Sequence, residues 1–190
     1  VLIYQTTGRR PQPGALPISV GVTVFNVETI YNVYRALNGD PVTHKFVTIT
    51  GEVAKPVTLK APLGMTVGEL VELAGGATTK DPVYLLGGPM MGRLGNAQTI
   101  VNKTLNAVIV LPETHPIVMR KNTKTAIDLK RAMAACCQCS YCTDLCPRHL
   151  LGYPITPHDF MRVVSNNTPS DVKPFIDGMF CSGCGLCEAY

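Results

Sequence analysis

The chain has 190 residues, 46% of them hydrophobic and 16% charged, enough to bury a core in one or two small domains. Its formal charge is +4, but it has five Phe, seven Tyr and no Trp, and no Lys/Arg run interleaves with aromatics, so nucleic-acid binding has no footprint. No stretch approaches the roughly 20 apolar residues of a membrane span, and residues 1–18 do not read as a signal peptide, so an oxidising compartment is not indicated.

In chain order, residues 1–18 (VLIYQTTGRRPQPGALPI) read as an abrupt start running into a Pro/Gly-rich connector, and further residues are expected upstream. Ser19–Phe25 alternates like a strand. Asn26 is a good N-cap for a helix with Ile30, Val33, Tyr34 and Leu37 on one face, and Asn38-Gly39 is a helix stop. Lys45–Thr50 and Val57–Ala61, joined by a turn over 51–56, read as a hairpin. Thr66-Val-Gly-Glu69 is a capping box opening a helix over 66–74, with Leu70 and Leu73 inward and Gly75-Gly76 at its end. Pro82–Leu86 and Ala107–Leu111 are further strands. A hairpin, one helix across it and later strands amount to a small α+β unit of β-grasp pattern.

Between those later strands lies Gly87-Gly88-Pro89-Met90-Met91-Gly92. Its glycines permit close backbone approach and its methionines offer a soft apolar surface, so it suits either a flat cofactor or a turn whose sulfurs fill a core gap. Residues 112–124 read as a connector. Thr125 starts a helix with Ala126, Leu129 and Met133 on one side, and this helix delivers the chain into a cysteine-rich loop.

That loop carries the strongest signal. Cys136, Cys139, Cys142 and Cys146-Pro147 are spaced C-x2-C-x2-C-x3-C-P, the run that holds a [4Fe-4S] cube in bacterial ferredoxins, where the fourth Cys ligates the other cluster. Cys181, Cys184 and Cys187 repeat C-x2-C-x2-C. The spacing therefore assigns Cys136, Cys139 and Cys142 to cluster one, and Cys146 with Cys181, Cys184 and Cys187 to cluster two. One more x3 step places the missing ligand of cluster one after Tyr190, and the sequence reads as a fragment clipping a dicluster module. Cys137 is left over, either an opportunistic ligand or a buried, inert thiol. Zinc favours two C-x2-C pairs and fits this spacing poorly. Two oxidised cubes, each of net charge about 2−, would roughly offset the positive excess.

Thr156-Pro157-His158-Asp159 is a helix start, and Val172–Phe180 approaches the second cysteine loop; room between the loops favours a mainly helical two-cluster, ferredoxin-like module. Gly183 and Gly185, flanking Cys184, suit backbone N–H donation to sulfur. The histidines, His44, His115, His149 and His158, share no metal-ligand spacing and read as surface or capping residues. No catalytic acid, base or nucleophile is assigned, and no G-x-G-x-x-G or P-loop occurs.

These motifs, in this order, resemble the flavin and iron-sulfur proteins related to the C subunit of the Rnf electron-transport complex. Asn26-Val-Glu28-Thr29 resembles a helix start in the flavoprotein subunit of respiratory complex I, and residues 44–112 are similar to its soluble-ligand-binding (SLBB-type) β-grasp domain. GGPMMG marks the Rnf-like branch. The run from Cys139 to Pro154, followed by Pro157-His158, resembles the cobalamin reductases of propanediol-utilisation microcompartments. The resemblance implies 1–40 as the remnant of an FMN- and NADH-binding domain, 41–113 as the β-grasp domain and 114–190 as the dicluster domain. It implies an oxidoreductase in which NADH reduces FMN, electrons pass two [4Fe-4S] clusters, and cobalamin is reduced for adenosylation. The flavin and nucleotide loop would lie upstream of residue 1, so this chain alone is not expected to oxidise NADH.

Cofactor contacts are then expected at Asn26, Glu28 and Thr29 and at Gly87, Gly88, Met90, Met91 and Gly92. Adenosyltransferase and microcompartment shell proteins are the implied partners, in the cytoplasm. Two alternatives stay open: the equivalent segment of an Rnf-type ferredoxin:NAD oxidoreductase, peripheral to the inner membrane, and a corrin- or shell-binding module with structural clusters.

Overall fold

A computed structural model describes residues 1–166, 168 and 170–188; the cluster ligand expected after Tyr190 lies outside them. The chain forms two compact units, one of Val1–Asn26 with Lys124–Tyr190 and one of Val27–Thr123. The second is therefore inserted in sequence between the two parts of the first.

The inserted unit begins with helix α2 (Val27–Leu37) and contains strands β1 (His44–Gly51) and β2 (Val57–Pro62), helix α3 (Val67–Leu73), strands β3 (Pro82–Leu86), β4 (Arg93–Gly95) and β5 (Ala107–Pro112), and helix α4 (Pro116–Asn122). The sheet order is β2-β1-β5-β3-β4, with β1 and β5 parallel and the other pairs antiparallel. This is the expected β-grasp arrangement. The β1–β2 hairpin places Val47 opposite Leu59 and Ile49 opposite Val57, and the period of two in β1 sends Val47 and Ile49 into the core.

Helix α3 forms where the capping box predicts it. The Thr66 hydroxyl accepts from Glu69 N–H at 3.3 Å while the Glu69 carboxylate accepts from Thr66 N–H at 2.7 Å. Val67, Leu70 and Val71 of α3 join Val47, Ile49, Val108 and Val110 in one fully buried cluster. Leu73, expected inward, is 62% exposed because the helix is only two turns long and its inner stripe is already filled by 67, 70 and 71. The run 112–124, read as a connector, contains α4, capped by His115 Nδ1 accepting from Ile117 N–H and holding buried Val118 against Leu85 and Leu111.

Helix α2 has its apolar stripe open: Ile30, Val33, Tyr34 and Leu37 are all exposed. Its hold on the sheet is polar. Glu28 pairs with the buried Lys45 ammonium and accepts a 3.0 Å hydrogen bond from Phe46 N–H, while Tyr31 meets the Phe46 ring at 6.1 Å.

The other unit contains α1 (Leu2–Thr7), a 3-10 turn at Pro17–Val20, and helices α5 (Thr125–Ala135), α6 (Tyr141–Asp144), α7 (Pro147–Leu150), α8 (Pro157–Ser165) and α9 (Lys173–Gly178), closed by a 3-10 turn at Leu186–Glu188. The strand expected over Ser19–Phe25 does not form: Pro17 opens the 3-10 turn, Gly21 ends it at φ +71°, and residues 22–26 are irregular. Alternation alone gives no strand without a partner ladder to satisfy its backbone. Helices do fill the space between the cysteine loops, as expected. Among the described residues no helix is long and apolar enough to cross a membrane.

Burial alone would raise the Glu28 carboxyl pKa, but the hydrogen bonds from Lys45 and Phe46 N–H outweigh it and hold the group below the usual carboxylate value. Its stabilisation is thus present above the ordinary carboxylate range and is lost as pH falls through that lowered value. Glu28→Gln, which leaves Lys45 buried without its counter-charge, should cost on the order of 3 kcal/mol at neutral pH in denaturant unfolding, a gap that closes in acid.

Candidate iron-sulfur site

The first cysteine loop follows directly from α5. Cys136 caps that helix, its N–H donating to Ala132 O at 2.9 Å. The backbone then turns twice through left-handed conformations at non-glycine residues, Gln138 (φ +58°) and Ser140 (φ +67°), one in each two-residue gap. Such turns are unfavourable for residues with a Cβ, so the loop holds its cysteines in a conformation that local preference does not supply. Ser140 then opens α6, which carries Cys142. Cys146 N-caps α7 with Pro147 at the first helical position, so the fourth cysteine leaves the loop at the start of a new helix.

The second loop uses glycine for the same purpose. Gly183 (φ +63°) and Gly185 (φ +74°) flank Cys184, and Gly183 N–H donates to Cys181 Sγ at 3.3 Å. Gln138 Nε2 does likewise to Cys136 Sγ at 3.1 Å. Donation to a thiolate sulfur is the interaction by which a protein steadies cluster ligands.

The loops meet. Helix α6 lies against the 3-10 turn that carries Cys187, and the thiols feel one another. Burial pushes the Cys187 thiol up, with Glu188, Cys181 and Cys142 adding to it; burial likewise pushes Cys142 up, opposed by Thr143 hydrogen bonds and aided by Cys136. A bound cation would reverse that preference for the neutral thiol. All eight cysteines are free of disulfides. Among the described residues no three His, Cys, Asp or Glu side chains converge on a point suited to one metal ion.

Cys137 is exposed, not buried as its apolar reading suggested, because it sits beyond the last turn of α5 with no element packed over it. The histidines act as pins. The Thr143 hydroxyl, on a residue 3% exposed, accepts from His158 N–H at 3.1 Å and lies 2.6 Å from His158 Nδ1, tying the start of α8 to α6. His149 Nδ1 donates to Ile155 O at 3.0 Å. These roles leave no spacing signal in the sequence, since they depend on contacts that the fold creates.

The other predicted site residues lie in two places. Asn26 ends the N-terminal segment of the helical unit, Glu28 is engaged with Lys45 and Phe46, and Thr29 is exposed on α2. Gly87–Gly92 forms the tip joining β3 to β4, a strand missing from the sequence reading. Gly92 N–H donates to Gly88 O at 2.7 Å, and a Cβ on Gly92 would stand 2.4 Å from that oxygen, so glycine is required there. Met90 and Met91 are 50% and 65% exposed, so they fill no core gap; Lys121 Nζ from α4 donates to Met90 O at 3.1 Å.

Residues 46–94 match the SLBB domain family, and residues 135–190 match the 4Fe-4S dicluster domain family. The chain is an SLBB domain followed by a 4Fe-4S dicluster domain. Over 189 residues it is 43% identical to Cobalamin reductase PduS of Citrobacter freundii and, equally, to Cobalamin reductase PduS of Salmonella typhimurium strain LT2. Each match covers 98% of this chain and 42% of the relative, so the chain is PduS-like from end to end and spans less than half the length of these relatives.

Thr143→Val removes the hydroxyl that both His158 contacts use while keeping the side-chain volume. It should lower stability by about 1–3 kcal/mol in denaturant unfolding of the anaerobically prepared chain. The equivalent loss at exposed Thr29→Val should be within about 0.5 kcal/mol.

Proposed function

We propose that this chain is the electron-transfer segment of a cobalamin reductase, holding one [4Fe-4S] cluster on Cys146, Cys181, Cys184 and Cys187 and supplying Cys136, Cys139 and Cys142 as three of the four ligands of another. The observation that carries this reading is the meeting of two C-x2-C-x2-C loops, each bent through positive-φ residues between its cysteines. Each cube, when bound, accepts and releases one electron at a time. The chain's own part is to fix the thiolates through the α5 C-terminus, the Cys146-Pro147 helix start and the Gly183 turn, and to donate N–H groups to sulfur.

In the longer protein, NADH would be the two-electron donor and FMN the step that divides its electrons. Both would act outside this chain, with Asn26 and Thr29 as the nearest candidates for a flavin contact. Glu28 serves better as the anchor of α2. The exposed Met90-Met91 tip, held by Lys121, is the surface of the SLBB domain best suited to meet the apolar face of a corrin. A microcompartment setting and contacts with an adenosyltransferase and shell proteins belong to the same reading.

The test is stoichiometric. The chain is reduced with dithionite, desalted anaerobically and mixed with hydroxocobalamin. Cob(III)alamin should become cob(II)alamin, one corrin per electron held, with the iron-sulfur absorbance returning as the corrin spectrum changes. Cys184→Ser should cut the electrons delivered to about half or less. Reduced clusters that persist beside unreacted corrin would contradict the assignment of cobalamin as acceptor.

A further inference from the structure

The N-terminal segment, read from sequence as a connector, is built into the helical unit at the flanks of both cysteine loops. Arg10 Nη1 donates to Leu151 O at 2.6 Å, and Pro11 O accepts from the Tyr153 hydroxyl at 3.0 Å. The Arg10 guanidinium carbon lies over the Tyr153 ring at 5.8 Å from its centroid, and that of Arg148, in α7, lies over the same ring at 5.3 Å. Gly152, at φ +79°, makes room: a Cβ there would stand 2.2 Å from Arg10 Nη1. Four residues further along, a Cβ on Gly14 would lie 3.5 Å from the ring of Phe180, the residue before Cys181. One short stretch therefore bonds the segment leaving Cys146 and, at Gly14, passes beside the residue entering Cys181.

The Cys146 side of this contact is a rigid knot. Leu150 N–H donates to Cys146 O, Gly152 N–H to His149 O and Tyr153 N–H to Arg148 O, and Tyr153 and Ile155 are 7% and 4% exposed. A restraint on Tyr153 is thereby passed through α7 to Cys146, whose carbonyl accepts the α7 bond.

We propose that Arg10, with Pro11 and Gly14, is a positioning brace for the cluster held by Cys146, Cys181, Cys184 and Cys187. It fixes two thiolates from distant parts of the sequence relative to each other and sets a second cation beside Arg148 on the segment that begins at Cys146. This rests on the electron-transfer reading above. It assigns a role in the iron-sulfur site to residues that belong to neither cysteine loop. Arginine suits the position because its planar fork both bonds a carbonyl and stacks on an aromatic face.

The experiment compares the full chain with Arg10→Ala, Arg10→Lys and Tyr153→Phe, and with Lys60→Ala on the exposed face of β2 as a control for lost charge. Iron release to a chelator under anaerobic conditions should be several-fold faster in Arg10→Ala and Tyr153→Phe than in the unaltered chain. Redox titration followed by EPR should show the potential of the cluster on Cys146, Cys181, Cys184 and Cys187 shifted to more negative values in Arg10→Ala, because a cation that favours the reduced cube is gone. Arg10→Lys should restore that potential, and Lys60→Ala should change neither readout. Unaltered iron release, or faster release with that potential unmoved, would overturn the brace.

Failure of the underlying reading is separable. If the unaltered chain takes up no iron, hydrogen exchange on the metal-free chain decides whether the brace exists. Arg10→Ala should then speed exchange several-fold at Gly152 and Tyr153, and unchanged protection there would overturn it.

Discussion

The structure depends on one constraint: thiolates from two separate loops must be presented side by side. Nothing in the local preferences of either loop achieves this. The chain between Cys146 and Cys181 has to return, and it does so through α7, the buried Tyr153–Ile155 turn, and α8 and α9, which pack on each other through the edge-to-face pair Phe160–Phe175 at 4.9 Å. The Thr143–His158 bonds fasten the start of that return to the first loop, and the 3-10 turn at Leu186–Glu188 completes it against α6. Burial in this unit is modest: among its described residues the buried hydrophobic ones are Tyr153, Ile155 and Val163. Specific polar contacts and the arm from the N-terminus therefore do much of what a larger apolar core does elsewhere.

The SLBB unit follows the opposite economy. It has a continuous core of aliphatic side chains from β1, β5 and α3, and its polar interactions are at the edges: the capping box of α3, His115 at the start of α4, and Glu28 with Lys45. Such a unit is a rigid frame for what it displays. What it displays is the Gly87–Gly92 tip, where glycine at 92 is compelled by the closeness of the Gly88 carbonyl and the methionines are left in the open.

How much of this was legible in the sequence follows from how local each cause is. Thr66 and Glu69 lie three residues apart and satisfy each other's backbone, so the start of α3 was readable to the residue. The hairpin of β1 and β2 and the strands β3 and β5 declared themselves by their apolar runs, and the cysteine spacing announced the cluster loops. Strand β4 has only three residues and exists because Leu94 sits opposite Leu85, a pairing no local pattern encodes. Ser19–Phe25 had the alternation of a strand but no edge to join. The docking of Arg10 on Gly152 and Tyr153 joins residues more than a hundred positions apart, and the sequence gives no reason to connect them. The left-handed turns at Gln138 and Ser140 were equally hidden, because neither residue type favours that conformation.

The cysteines decide what this chain can do. The most direct measurement is the iron and acid-labile sulfide content per chain of anaerobically purified protein. Iron and sulfide are expected in equal amounts, about four atoms of each or more, reflecting at least the cluster proposed on Cys146, Cys181, Cys184 and Cys187. Zinc in place of iron, or a folded protein with no iron and sulfide after reconstitution, would contradict the iron-sulfur assignment.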